Sequence, residues 1–107
     1  MSNEQTTKLV DKIGLPAMLE MMAEESVELA HACQKAARLN RGENPAPGHT
    51  MDELMDHVEE EMADVYICLR ELRKLQCINE VHVSSAIDKK RERMNRRLGM
   101  RADSFIF

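Results

Sequence analysis

Glu25 with Glu28, and Glu61 with Asp64, are two pairs of acidic residues, each pair spaced three apart. On a helix that spacing sends both side chains from one face, so each pair can offer two carboxylates to one point in space. Two such pairs on facing helices make a four-carboxylate cluster. Ligation by oxygen alone suits hard divalent cations, so Mg2+ is the expected ion and Mn2+ its natural substitute. No cysteine or histidine set has the spacing that zinc usually takes.

The helices expected to carry these pairs are marked by apolar residues at alternating three and four residue spacing. One seam runs Met18, Met22, Glu25, Leu29, Ala32, Ala36, Leu39, and the other Met51, Leu54, Val58, Glu61, Val65, Cys68, Leu72, Leu75. In each seam one core position is a glutamate. An ionised carboxylate in an apolar setting costs several kcal/mol or more without a partner, so it must be protonated, paired with a base or bound to a metal. Glu20, Glu24 and Glu59 fall off the seams, as solvated residues should. A single seam acid can also be a register device of the coiled-coil kind, and acidic runs such as Glu59-Glu60-Glu61 are in most helices solvated faces.

Turn and cap signals bound the elements. Residues 3–13 predict a short helix ending at Gly14, and Pro16 suits the first turn of a new helix, where its missing N–H has no partner to lose. The first long helix then runs from about Pro16 to about Asn40. Residues 41–49 hold two prolines and two glycines and read as a loop. Thr50 with Glu53 forms a capping-box signature, which starts a second long helix near Met51 that runs to about Gln76. Asn79, or else Ser84 or Ser85, can cap a third helix that stops at Gly99. An antiparallel arrangement of the two long helices brings Glu25 and Glu61 to similar heights.

The 107 residues contain nine methionines but only three aromatic residues, Tyr66, Phe105 and Phe107. That composition predicts an all-α fold, read as one domain over 1–107 and small enough that oligomerisation, as a homodimer or homotetramer, is expected. Residues 1–80 hold 8 basic and 16 acidic groups, whereas residues 81–107 hold 7 basic and 3 acidic. Such a split is unlike a nucleic-acid binder coated in positive charge and suits a cation site facing an anion grip. Three cysteines without C-x-x-C spacing, and no apolar run resembling a signal peptide or membrane span, predict a reduced, cytoplasmic protein with no membrane partner. Cys33 and Cys68, among apolar neighbours, read as small buried core residues.

Glu24-Glu25-Ser26-Val27-Glu28-Leu29 and Glu60-Glu61-Met62-Ala63-Asp64-Val65 resemble the E-E-x-x-E-L and E-x-x-D motifs of the all-α nucleoside triphosphate pyrophosphohydrolases, often called MazG-like. The likeness covers roughly residues 16–98 and extends to Lys35, which looks like the basic residue often found two turns beyond the second motif glutamate. It reaches the third helix through Lys90, Arg93, Asn95 and Arg97. The resemblance implies a Mg2+-dependent hydrolase that cleaves a nucleoside triphosphate between the α and β phosphates, releasing a nucleoside monophosphate and pyrophosphate. By the same resemblance, Glu25, Glu28, Glu61 and Asp64 are the metal ligands.

A triphosphate beside four carboxylates calls for several cations. Lys90, Met94 and Arg97 follow helical spacing with Arg93 adjacent, so one face can point positive charge at a phosphate chain. Lys35 and Arg38 are further candidates. For removal of a proton from water, Glu24 is the candidate base and Glu60 its substitute. Tyr66 can contact a base or sugar, or pack at a helix interface with its hydroxyl outward. Two rival readings remain. Glu28-x-x-His31 has the spacing used in di-iron or di-manganese carboxylate bundles, although His31 also reads as a surface residue; alternatively, the chain is a non-enzymatic helical dimerisation module.

Overall fold

The computed structural model describes residues 9–43, 48–74 and 78–99. Four elements lie among them, all helical: α1, Leu9–Ile13; α2, Leu15–Arg41; α3, Met51–Arg73; and α4, Glu80–Leu98. The chain divides into two compact units, Met1–Leu75 and Gln76–Phe107. Helices α1 to α3 belong to the first and α4 to the second. No helix among the described residues is long and apolar enough to cross a membrane.

Local chemistry explains each boundary. Gly14, at φ 87, separates α1 from α2, a backbone angle that residues with a Cβ rarely adopt, and proline follows within the first turn of α2. At the other end of α2, Gly42 enters the left-handed region and its N–H donates to the Leu39 carbonyl at 3.0 Å. The Glu43 N–H reaches the Arg38 carbonyl, also at 3.0 Å, which completes a Schellman closure. Helix α3 opens with the expected capping box: the Glu53 N–H donates to Thr50 Oγ1 at 3.1 Å, and the Thr50 N–H donates to Glu53 Oε1 at 2.8 Å. In α4 the cap is Asn79, whose Oδ1 accepts from the His82 N–H at 2.9 Å, while Ser84 and Ser85 lie inside the helix.

The elements differ from the sequence reading mainly at their ends. Residues 9–13 of the expected 3–13 helix are helical, and 3–8 lie outside the described residues. Helix α2 extends to Arg41, and α3 ends at Arg73, short of Gln76, with Lys74 as its cap. The Phe105 to Phe107 tail, Leu75 and Cys77 lie outside the described residues.

Within the first unit the seams meet in two separate apolar clusters. Val10, Met18, Cys68 and Leu72 form one, with Leu9, Met21 and Met22 packed against it. Ala32, Ala36, Leu54 and Val58 form the other, with Leu29, Leu39 and Met51 alongside. The start of α2 thus packs on the end of α3, and the end of α2 on the start of α3. Glu25 and Glu61 fall in sequence between the two clusters. Met18 is fully buried, so truncating it to alanine would cost roughly 2–5 kcal/mol by the usual core behaviour.

A charged contact fastens α1. Glu71, 9% exposed, lies at the end of α3, and its Oε1 accepts the Val10 N–H at 3.2 Å while Lys74 Nζ donates to its Oε2 at 2.7 Å. A carboxylate is a strong acceptor for a backbone N–H. The Lys74 ammonium and the Val10 N–H hold the Glu71 carboxyl below its ordinary value, against the opposing effect of burial.

Candidate metal centre

Every seam residue among those described is buried or half-buried, the two glutamates included. Their side chains therefore sit where the apolar periodicity places them. Glu25, Glu28 and Glu61 each present a carboxylate oxygen, and the three lie within 4.8 Å of one another. Glu28 is exposed, Glu25 is half-buried, and the Glu61 side chain is only 12% exposed. Asp64, itself exposed, is the strongest of the charged neighbours acting on Glu25 and comes within hydrogen-bonding reach of it. All four expected ligands are thus brought together around Glu25.

The electrostatics of this cluster are those of a site with too few positive charges. Burial pushes the Glu25 carboxyl above its ordinary value, and Asp64, Glu28 and Glu61 push it the same way. Oε2 of Glu25 and Oε2 of Glu61 are buried without a hydrogen-bond partner. Buried acceptors of this kind are uncommon, because desolvation is uncompensated. A hard divalent cation would satisfy both oxygens and reverse the repulsion, so the donor set and its orphaned atoms fit Mg2+ or Mn2+.

One contact has no counterpart among the expected site residues. His57 lies one turn before Glu61, and its Nε2 stands 3.2 Å from Glu61 Oε1. The spacing of four residues was visible in the sequence, but surface histidines beside glutamates are commonplace, and only the burial of Glu61 gives this pair significance. Cys68 lies close enough to Glu25 and Asp64 that both raise its thiol, after the larger effect of burial. It is a protonated, buried core residue, as expected. Cys33 is not: it lies one residue past the seam position Ala32 and is exposed at the edge of the α2–α3 contact, where it lines an open hollow with Met51, Met55 and Val58 of α3.

Around the cluster, Glu24, Glu25, Val27, Glu28 and His31 line an open hollow of about 610 Å³. Glu24, the candidate base, therefore shares a surface with two of the candidate ligands. Glu60 is exposed. Tyr66 does not pack at a helix interface within the described residues: it is 57% exposed, with the Arg70 guanidinium carbon 6.0 Å from its ring centroid. Lys35 is exposed on α2.

In the second unit, Lys90, Arg93 and Arg97 are exposed on α4. Lys90 and Arg93 line a hollow of about 270 Å³ together with His82, Ser85, Ala86 and Lys89, so this helix presents a locally cationic face. Arg97 is not among its lining residues. Asn95, part of the same sequence pattern, is buried, and its Nδ2 has no hydrogen-bond partner. Protein-family models, curated proteins and solved structures yield no match to this chain.

Proposed function

We propose that the protein is a Mg2+-dependent nucleoside triphosphate pyrophosphohydrolase, with Glu25, Glu28, Glu61 and Asp64 holding the cation. The observation that supports this most is the acidic cluster within 4.8 Å that includes two residues with buried, unpartnered carboxylate oxygens. Choice of reaction rests on the resemblance of the two acidic motifs to the MazG-like family. When bound, Mg2+ supplies positive charge against the triphosphate and acidity to water.

In this reading the protein's own groups act as follows. Glu24 accepts a proton from the attacking water as the water oxygen bonds to the α phosphorus. The bond from that phosphorus to the α–β bridging oxygen breaks, and pyrophosphate leaves with the bridging oxygen. Lys35, Lys90, Arg93 and Arg97 are assigned to the phosphates on the basis of charge and motif. Association into a homodimer or homotetramer is part of the proposal, supported by the large apolar side chains left exposed on α2 and α3, among them Leu19, Val27, Met62 and Ile67.

The test is incubation with a panel of canonical and modified nucleoside triphosphates, with and without Mg2+, followed by detection of pyrophosphate. Glu61→Gln is expected to keep its helical circular dichroism while losing roughly 100-fold or more of the Mg2+-dependent cleavage, since a ligand should matter at least as much as the groups supporting it. Wild-type rates in that variant would remove Glu61 from the site. A second reading, a di-iron or di-manganese carboxylate protein, draws on the presence of His31 in the same hollow as Glu24, Glu25 and Glu28. Inactivity across the panel together with iron or manganese recovered from the purified protein would favour it. Inactivity with association indifferent to chelators would instead favour a dimerisation module.

A further inference from the structure

We infer that His57 is a positioning residue for the metal centre: it holds one oxygen of Glu61 and thereby commits the other to the cation. The inference rests on the metal-binding reading above and assigns a function to a residue outside the acidic motifs. Three observations carry it. His57 Nε2 is 3.2 Å from Glu61 Oε1, close enough for a ring N–H to donate to that oxygen. The other oxygen of the same carboxylate, Oε2, is buried and without a partner. Glu61 also belongs to the group of three carboxylates whose oxygens approach within 4.8 Å.

The division of labour follows from the two ends of the interaction. The His57 side chain is 48% exposed, whereas that of Glu61 is 12% exposed. A glutamate side chain has three rotatable bonds, and in a cluster of like charges it would swing away from its neighbours. The imidazole, fixed one turn earlier on the same helix face, opposes that swing by holding Oε1. With Oε1 engaged, ligation through Oε2 is favoured. A Glu61 that binds through one oxygen would leave more of the coordination sphere to Glu25, Glu28 and Asp64, and to substrate oxygens or water. Groups that orient a ligating carboxylate in this way typically alter metal affinity or activity by roughly 10–100-fold when removed.

The experiment measures Mn2+ binding by electron paramagnetic resonance on wild-type protein, His57→Ala and His57→Gln, with no nucleotide present. His57→Ala is expected to bind Mn2+ roughly ten-fold or more weakly, at unchanged helical content and unchanged metal-free melting temperature. His57→Gln, whose amide N–H can donate to the same oxygen, is expected to recover most of the affinity. In the Mg2+-dependent reaction, His57→Ala should raise the Mg2+ concentration for half-maximal rate while leaving the rate at saturating Mg2+ close to wild type. Equal Mn2+ affinity in wild type and His57→Ala would overturn the role of His57 and leave the metal centre standing. Absence of Mn2+ binding by the wild type would overturn both.

Discussion

A carboxyl whose neighbours are all negative and whose surroundings are partly dry holds its proton more tightly in the folded chain than in the unfolded one. That is the condition of Glu25, whose pKa is raised first by burial and then by Asp64, Glu28 and Glu61. For a group raised on folding, the contribution to stability is fully present below its unfolded value, near 4.5, and is lost as pH rises through the folded value. Metal-free protein should therefore lose stability through this residue as pH rises above about 4.5, and Mg2+ should restore it once the carboxyl is ionised. In chelator, melting curves of Glu25→Gln are expected to show a smaller decline than wild type across that window, and no rise on adding Mg2+. Identical pH profiles for the two proteins would show that Glu25 carries no such strain. The positions of Glu25 and Glu61 were legible because each interrupts a local repeat of three and four residues. The role of His57 was not, since a spacing of four says nothing about how deeply its partner is buried.

Among the elements, the long helices follow their written signals closely. Gly14, Gly42 and Gly99 end or separate helices with positive φ, and Thr50 and Asn79 start them through side-chain acceptors. Replacing Thr50 by alanine should cost about 1 kcal/mol of stability, read from the denaturant midpoint. What the sequence does not display is the fastening of α1, because Glu71 and Val10 are 61 residues apart and neither belongs to a motif. Glu71 is lowered on folding, so its contribution is present above its unfolded value near 4.5 and disappears as pH falls through the depressed folded value. Glu71→Ala should expose the Val10 amide to rapid hydrogen exchange at neutral pH while amides in the middle of α2 keep their protection. Protection of Val10 equal to wild type would show that α1 is held by its apolar contacts alone. Cys33 and Tyr66 show the converse failure: each stands one residue beyond a seam position, and apolar surroundings in sequence do not become burial when the side chain is turned by about 100° from the seam.

For the molecule as a whole, the notable quantity is how few large side chains are buried. Met18 and Cys68 are the largest fully buried residues among those described, while Leu19, Val27, Met62, Ile67 and Val81 are each about half exposed or more. A second copy covering the apolar surface of α2 and α3 would explain why residues of this type are kept there. Light scattering is expected to give a mass at least twice that of the 12.3 kDa chain, and the melting temperature should rise with protein concentration. A monomer at all concentrations would refute the association. All-α architecture was readable from composition, since methionine and alanine supply the apolar volume and aromatic residues are nearly absent. Division into the units 1–75 and 76–107 was not, because no glycine- or proline-rich linker marks it.

The two apolar clusters lie on either side of an acidic layer, so the long helices adhere at both ends and repel at the centre. A pair joined in this way is softest at its midpoint. A divalent ion held there, as proposed, would act as a rivet, turning the region of weakest cohesion into a fixed crossing, and the rigidity of the helix pair would then follow the supply of the ion.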